Sequence, residues 1–330
     1  MNSKLKLKLK TKIASLVLLA CGLVAGSAAW PQAYPDKPVK LIVPFAAGGS
    51  GDIIGRIYAE KLSALWKQPV VVENKAGAGG NIASDFVAKA PADGYTLLLA
   101  ANSHVFNGSL YANRPYDPIK DFTAVAGVAY YSLILVVNPA LPIRSLKEMV
   151  AYAKANPGKL TFGSAGVGTS THLANELFKN AAGIEIVHSP YKSAGLATTD
   201  LLGGHIQAMF NNPVSALPFV KSGKLRPLVT TGPKRLADTL DVPTIAESGY
   251  PGFEAGTWWA ILGPSGLPKN VVSKVSADLS AINKMPDVTA RLATEGVETW
   301  SYPPAELSAI MLADQKKWGK IITDAKIKLD

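Results

Sequence analysis

The chain has 330 residues, 48% hydrophobic and 18% charged, which is enough for about two domains of ordinary size and excludes both a disulfide-stapled peptide scaffold and a disordered chain. Of its 34 basic residues five (Lys4, Lys6, Lys8, Lys10 and Lys12) crowd the start, and the others are scattered among 24 acids, as in Lys147-Glu148. The net charge of +10 therefore forms no stripe, and nucleic acid is not an expected partner.

Residues 1–29 read as an export leader: a lysine-rich start, an apolar stretch from Ile13 to Ala25, and Ser27-Ala28-Ala29 as a cleavage site. The stretch is too short to span a bilayer comfortably, so a soluble periplasmic product is expected. Cys21, the single cysteine, lies in this leader, and Leu18-Leu19-Ala20-Cys21 also fits a lipobox, which makes a lipoprotein anchored at Cys21 the alternative. The soluble product would keep no thiol, excluding disulfides, a cysteine nucleophile and thiolate metal sites together.

From Lys37 the pattern alternates. Lys40 to Phe45 reads as a short apolar strand running into Ala46-Ala47-Gly48-Gly49-Ser50-Gly51, with Asp52 placed to cap a helix that buries Ile53, Ile57 and Leu65. Val70 to Glu73 reads as a strand, Ile82 to Ala88 as a helix and Thr96 to Ala100 as a strand, a βαβαβ order that predicts a parallel sheet covered by helices. A second series follows: strand Leu133 to Val137, a helix to Ala155 begun by a capping Ser145, strand Leu160 to Phe162, helix Thr171 to Asn180, strand Ile186 to Tyr191, and a helix from Ala194 that stops at Gly203-Gly204. Ile206 to Asn211 and Leu225 to Thr230 complete the strands.

Leu267-Pro268 and Pro304 then open two helices with no strand after them, which wrap back on the first series beside Trp258 to Gly263 as a returning strand. The expected fold class is α/β with two lobes: residues 30–125 and 258–330 in one, residues 126–257 in the other. Two connections crossing between them would form a hinge, with Trp258 placed to report its closure.

Two segments carry the chemistry. Pro44-Phe45-Ala46-Ala47-Gly48-Gly49-Ser50-Gly51-Asp52 and Gly163-Ser164-Ala165-Gly166-Val167-Gly168-Thr169-Ser170 each follow a strand and open a helix, so free N–H groups and a positive helix end point off the sheet's carboxyl edge. Such turns are ordinary in α/β proteins, and their matching placement in two successive lobes is what singles them out as a two-jawed anion clamp. Asn102, Ser103 and Asn211, each just after a strand, are candidates for contacts to the rest of a ligand.

Other chemistries find less support. Neither loop completes a nucleotide motif, so no cofactor is expected. His104, His172, His188 and His205 show no metal-ligand spacing, and His172 reads as a brace for the second loop. Ser50 and Ser164 both lack a complete G-x-S-x-G elbow. Lys192 and Asp200 could pair with a ligand or with each other, Trp258-Trp259 reads as core or hinge packing, and Asn211-Asn212-Pro213 as amide contacts or a turn. Gly77-Ala78-Gly79-Gly80 reads as a turn opening a helix at Asn81, which could border the cleft.

The ordered set Pro44-Phe45, Gly48-Gly49 and Asp52, then Gly166, Gly168, His172 and Leu173, Pro190-Tyr191-Lys192, Asp200-Leu201-Leu202, Gly204, Pro243-Thr244, Glu247 and Gly249-Tyr250-Pro251 resembles the Bug family over nearly the whole mature chain. These are solute-binding receptors of tripartite tricarboxylate transporters. The resemblance implies a periplasmic binding-protein fold of type II, monomeric, closing on a small carboxylate and serving membrane transporter subunits. It places the carboxylate, with bridging waters, on Gly49, Ser50 and Asp52 and on Ser164, Ala165, Gly168, Thr169 and Ser170, with Phe45 a further candidate for ligand contact. Ser193 stands where a glycine is common and Ala76 where a proline is common, which leaves side-chain specificity open. A non-enzymatic receptor is thus expected, with an exported hydrolase or isomerase, or a ligand-presenting sensor domain, as alternatives.

Overall fold

The computed structural model describes residues 34–111, 114–236, 240–324 and 327, so the leader and Cys21 lie outside the described residues. Eleven strands form two sheets, one of six strands in the order β11-β4-β10-β3-β1-β2 and one of five in the order β7-β6-β8-β5-β9. In the first, β1 (Val39–Val43) pairs in parallel with β2 (Val70–Asn74) and β3 (Thr96–Ala101), while β4 (Phe122–Ser132), β10 (Gly256–Pro264) and β11 (Glu298–Tyr302) add an antiparallel half. In the second, β6 (Thr161–Ser164) lies parallel to β7 (Val187–Pro190) and β8 (Ala208–Asn211), and β5 (Ile134–Val137) runs antiparallel between β8 and β9 (Arg226–Thr230). The chain is thus α/β and two-lobed, with one sheet per lobe.

Among the described residues ten α-helices accompany the strands: α1 (Ser50–Trp66), α2 (Asn81–Ala88), α3 (Ser103–Leu110), α4 (Leu146–Ala155), α5 (Ser170–Ala182), α6 (Ala194–Leu202), α7 (Pro213–Lys221), α8 (Lys269–Ile282), α9 (Pro286–Thr294) and α10 (Pro304–Asp324). A 3-10 turn, Ala78–Gly80, precedes α2. Leu98, Val105, Trp258 and Leu262 centre the core of the first sheet and Ile134, Leu201 and Met209 that of the second. A third cluster gathers Phe106 and Leu110 of α3, Leu173 of α5, and Trp318 and Ile322 of α10, so apolar side chains of both sheets' helices share one contact region.

The periodicity places α1, but tertiary contacts rotate its details. Ile54, Ile57 and Leu62 are buried, Ile53 is half-buried and Leu65 is exposed; at that end Trp66 takes the inward place, held by its Nε1–H to Asp278 at 2.6 Å. Gly49, not Asp52, is the N-cap, and Asp52 stands in the first turn. Gly51 sits where a Cβ would fall 2.6 Å from the Trp259 ring, so only glycine lets α1 approach β10. The strand-free C-terminus is also corrected: β11 follows α9 and pairs with β4.

Two connections cross between the sheets. Strand β4 runs unbroken through residues 125 and 126 to Ser132, and only Leu133 separates it from β5. Residues 231–255 carry the chain back from β9 to β10. The crossings are tied side by side: Thr231 N–H donates to Leu133 O, Leu133 N–H donates to Thr231 Oγ1, both at 2.9 Å, and Ala255 N–H donates to Thr231 O at 3.2 Å.

Candidate functional site

Five of the helices follow a strand directly and begin at the same place. Ser50 opens α1 after Gly49, Ser103 opens α3, Thr169 and Ser170 open α5, Ser193 and Ala194 open α6, and Asn212 caps α7; all of these residues wall one cavity of about 30 Å³. Each helix start carries amide N–H groups without an intrahelical acceptor and roughly half a positive charge from the helix dipole. Three cap side chains are engaged with their own helix: Thr169 accepts from His172 N–H, Ser193 from Leu196 N–H and Asn212 from Ser215 N–H. Among the described residues, those walling the cavity include no Lys, Arg, His, Asp or Glu. Its positive potential comes from the backbone alone.

The rest of the wall comes from the paired strands β3, β4 and β10. Their register sets Thr257 opposite Tyr131 and Trp259 opposite Ala101, and all four line the cavity. Ser50 Oγ lies 3.1 Å from Tyr131 Oη, and Ser170 Oγ lies 2.6 Å from Thr257 Oγ1. Burial raises the Tyr131 pKa against the opposing hydrogen bond from Ser50, so the phenol keeps its proton as a donor. Trp259 Nε1 is buried in the same wall, beside the Tyr131 hydroxyl.

Of the residues expected at the site, Phe45, Gly49, Ser50, Ser103, Ala165, Thr169 and Ser170 meet at this cavity. Five others stand behind it. The Asp52 carboxylate accepts from Gly48 N–H at 3.0 Å and pairs with Arg56 at 2.9 Å; burial would raise its pKa, but Arg56 and the Gly48 N–H hold it below the usual carboxylate range. Ser164 Oγ is fully buried, 2.7 Å from His188 Nε2, and accepts from Gly166 N–H at 3.1 Å. Gly168 N–H donates to His172 Nδ1 at 3.2 Å, a bond that needs neutral His172; burial, with His188 stacked 4.2 Å away, pushes its pKa down to about 3. Asn102 donates to Gly256 O and Asn211 to Thr198 Oγ1, each at 2.8 Å. These five shape the loops.

Tyr131, Thr257, Trp259 and Ser193 were not anticipated at the site, and Asn212 only as one of two readings, amide contacts or a turn. For Asn212 the signal was present, since Asn-Pro is an N-cap followed by proline at the first helical position. A second, wider cavity of about 470 Å³ shares Phe45 and Ala165 with the first and continues over Gly77 to Gly80, Tyr111, Val167, Tyr191 and Lys192. The glycine-rich turn before α2 thus does border the cleft.

Comparison with known proteins agrees with this arrangement. Rpa4515 of R. palustris, solved with adipate, is 34% identical and superposes with a TM-score of 0.87 over 89% of this chain and 99% of its own. The periplasmic binding protein BugD, also 34% identical, gives 0.85 over 89% and 99%, and MatC of Rhodopseudomonas palustris with bound malate, 29% identical, gives 0.83 over 88% and 100%. Residues 54–327 match the family described as tripartite tricarboxylate transporter family receptor, so the chain, with its two lobes meeting at an uncharged ring of helix starts, belongs to that family of solute-binding receptors.

Proposed function

We propose that this protein is a periplasmic receptor that captures a small carboxylate between its lobes and delivers it to the membrane subunits of a tripartite transporter. The convergence of five helix N-termini on a cavity with no charged side chain carries the reading, because aligned N–H groups and dipoles stabilise an anion that cannot be neutralised by proton transfer there. The family match and the relatives solved with adipate and malate support the ligand class. The lysine-rich leader supports export, and among the described residues no helix is long and apolar enough to cross a membrane.

The lobes are taken to divide at Leu133 and within residues 231–255, where the two crossings lie together. The carboxylate then contacts Gly49, Ser50, Thr169, Ser170 and Ala194 from the helix starts, with Tyr131 and Trp259 as side-chain donors. A hydrolase reading is less favoured: Ser50 and Ser170 face the hydroxyls of Tyr131 and Thr257, and the one cleft-side serine close to an imidazole, Ser164, is buried behind the loop.

Mass spectrometry of small molecules released from gently purified protein, followed by calorimetry with the acid so found, tests this. Stoichiometric binding with the acid recovered unchanged is expected. Chemical conversion of the acid would establish an enzyme instead, and recovery of a cationic or neutral ligand would refute the anion cage.

A further inference from the structure

The inner cavity is small, about 30 Å³, and its ring of helix starts suits the carboxylate group. Whatever the acid carries beyond that group must stand in the outer cavity of about 470 Å³, within the range of ordinary small-molecule sites. Resting on the reading above, we propose that the outer cavity selects an acid whose body is an apolar ring, most simply a phenyl group packed on Phe45, over one carrying a second anionic group.

The wall is the argument. Phe45 stands at the junction, lining both cavities, and is fixed edge-on against Trp259 at 5.8 Å between ring centres. Tyr111 and Tyr191 present rings whose polar tips are engaged elsewhere, Tyr111 Oη–H on Val167 O at 3.4 Å and Tyr191 Oη–H on Asp200 at 2.6 Å. Gly79, also in the wall, packs directly on the second loop, since a Cβ there would fall 2.7 Å from Val167 O. No acid lines the cavity among the described residues, and its one cation, Lys192, is exposed to water at the rim. An ion pair with such an exposed lysine is screened and weak, whereas flat apolar area removed from water between rings is not.

Calorimetry with the full mature protein separates the two ideas, using propanoate, 3-phenylpropanoate and glutarate as probes. Propanoate reaches the inner cavity alone; the other two add a ring or a second carboxylate. The ring is expected to tighten binding about tenfold or more over propanoate and over glutarate. Phe45→Ala should weaken 3-phenylpropanoate binding several-fold more than it weakens propanoate binding, removing most of that gain, and Lys192→Ala should leave the order of the three acids unchanged. Glutarate binding tighter than 3-phenylpropanoate, with its advantage lost in Lys192→Ala, would overturn the proposal and make the outer cavity a second anion site. Equal affinity for propanoate and 3-phenylpropanoate would overturn it while leaving the carboxylate cage intact. Failure of all three acids to bind would overturn the cage itself. The wild-type series decides even if Phe45→Ala fails to fold.

Discussion

Asn107 Oδ1, on helix α3 of the first lobe, stands 2.5 Å from the point where a side chain on Gly168, in the second lobe's loop, would begin. The same Asn107 donates its Nδ2–H to Gly79 O at 3.0 Å, so one amide touches the glycine-rich segments of both jaws. The lobes can meet there only because residue 168 has no Cβ.

Gly168 also holds a φ of +75°, which an L side chain adopts at a cost of about 1–2 kcal/mol. Gly168→Val is therefore expected to keep both lobes folded, since the residue lies outside both cores, but to hold them apart. Ligand affinity should fall by at least about tenfold, and solution scattering should show an expanded molecule in the presence of ligand. Normal affinity with a compact scattering profile would refute the role of this contact.

Charge-free recognition has a pH signature. Backbone N–H groups, hydroxyls and an indole do not titrate between pH 8 and 5.5, so affinity should stay level over that range and fall only as the acid itself protonates near pH 4. Lys192→Ala is expected to weaken binding of a monocarboxylate by less than about threefold, below the tenfold or more that loss of a charged hydrogen bond would produce. A larger loss would move the principal anion contact from the helix starts to Lys192.

Trp259, which lines the cavity, is expected to report ligand entry, beside Trp258, which the sequence offered as a reporter of closure. Trp258 is stacked on Trp300 at 5.9 Å and donates its Nε1–H to Asp314 at 2.6 Å, inside the core of the first lobe, whereas Trp259 lines the cavity. Ligand-induced change in tryptophan fluorescence should survive Trp258→Phe and disappear in Trp259→Phe. The reverse pattern would place the ligand away from β10.

Two buried histidines set the acid limit of the fold. Burial drives the His104 pKa down to about 4, against the opposing hydrogen bond to Pro118 O, and that of His172 down to about 3, from an ordinary 6.5. Between those values and about 6.5 the unfolded chain binds more protons than the native one, so stability is complete above pH 6.5 and declines as pH falls, by about 1.4 kcal/mol per pH unit for each histidine. Both contribute from pH 6.5 to about 4, and His172 alone continues to about 3. Denaturant unfolding at pH 7, 6 and 5 measures this slope. His104→Gln, less stable at pH 7 for want of the Ser84 and Pro118 contacts, should lower it by about one proton's worth, and an unchanged slope would show that His104 is not held neutral.

What was legible in the sequence is what short stretches dictate on their own. The apolar run Leu41-Ile42-Val43 can only be buried, the glycines after it can only turn, and apolar residues at helical spacing follow, so a strand, an anion-binding turn and a helix are legible locally, although of the expected buried face Ile53, Ile57 and Leu65 only Ile57 is fully inside. The same holds for Phe162 through Leu173, and the two turns with their helix starts supplied Gly49, Ser50, Thr169 and Ser170. Phe162 to Leu173 also shows the limit: sequence alone does not say that Ser164 faces His188 behind the loop while Ala165 faces the ligand space, because a tight turn has no period to count.

Only the tertiary structure decided the remainder, since it depends on pairings between residues far apart in the chain. Tyr131 meets Thr257, and Ala101 meets Trp259, through the register of β4, β10 and β3, and a slip of one residue in any strand would turn these side chains to the other face. Local sequence fixes where helices begin; the crossings at Leu133 and Thr231 bring five of those beginnings to one point, and no window of the sequence contains that convergence.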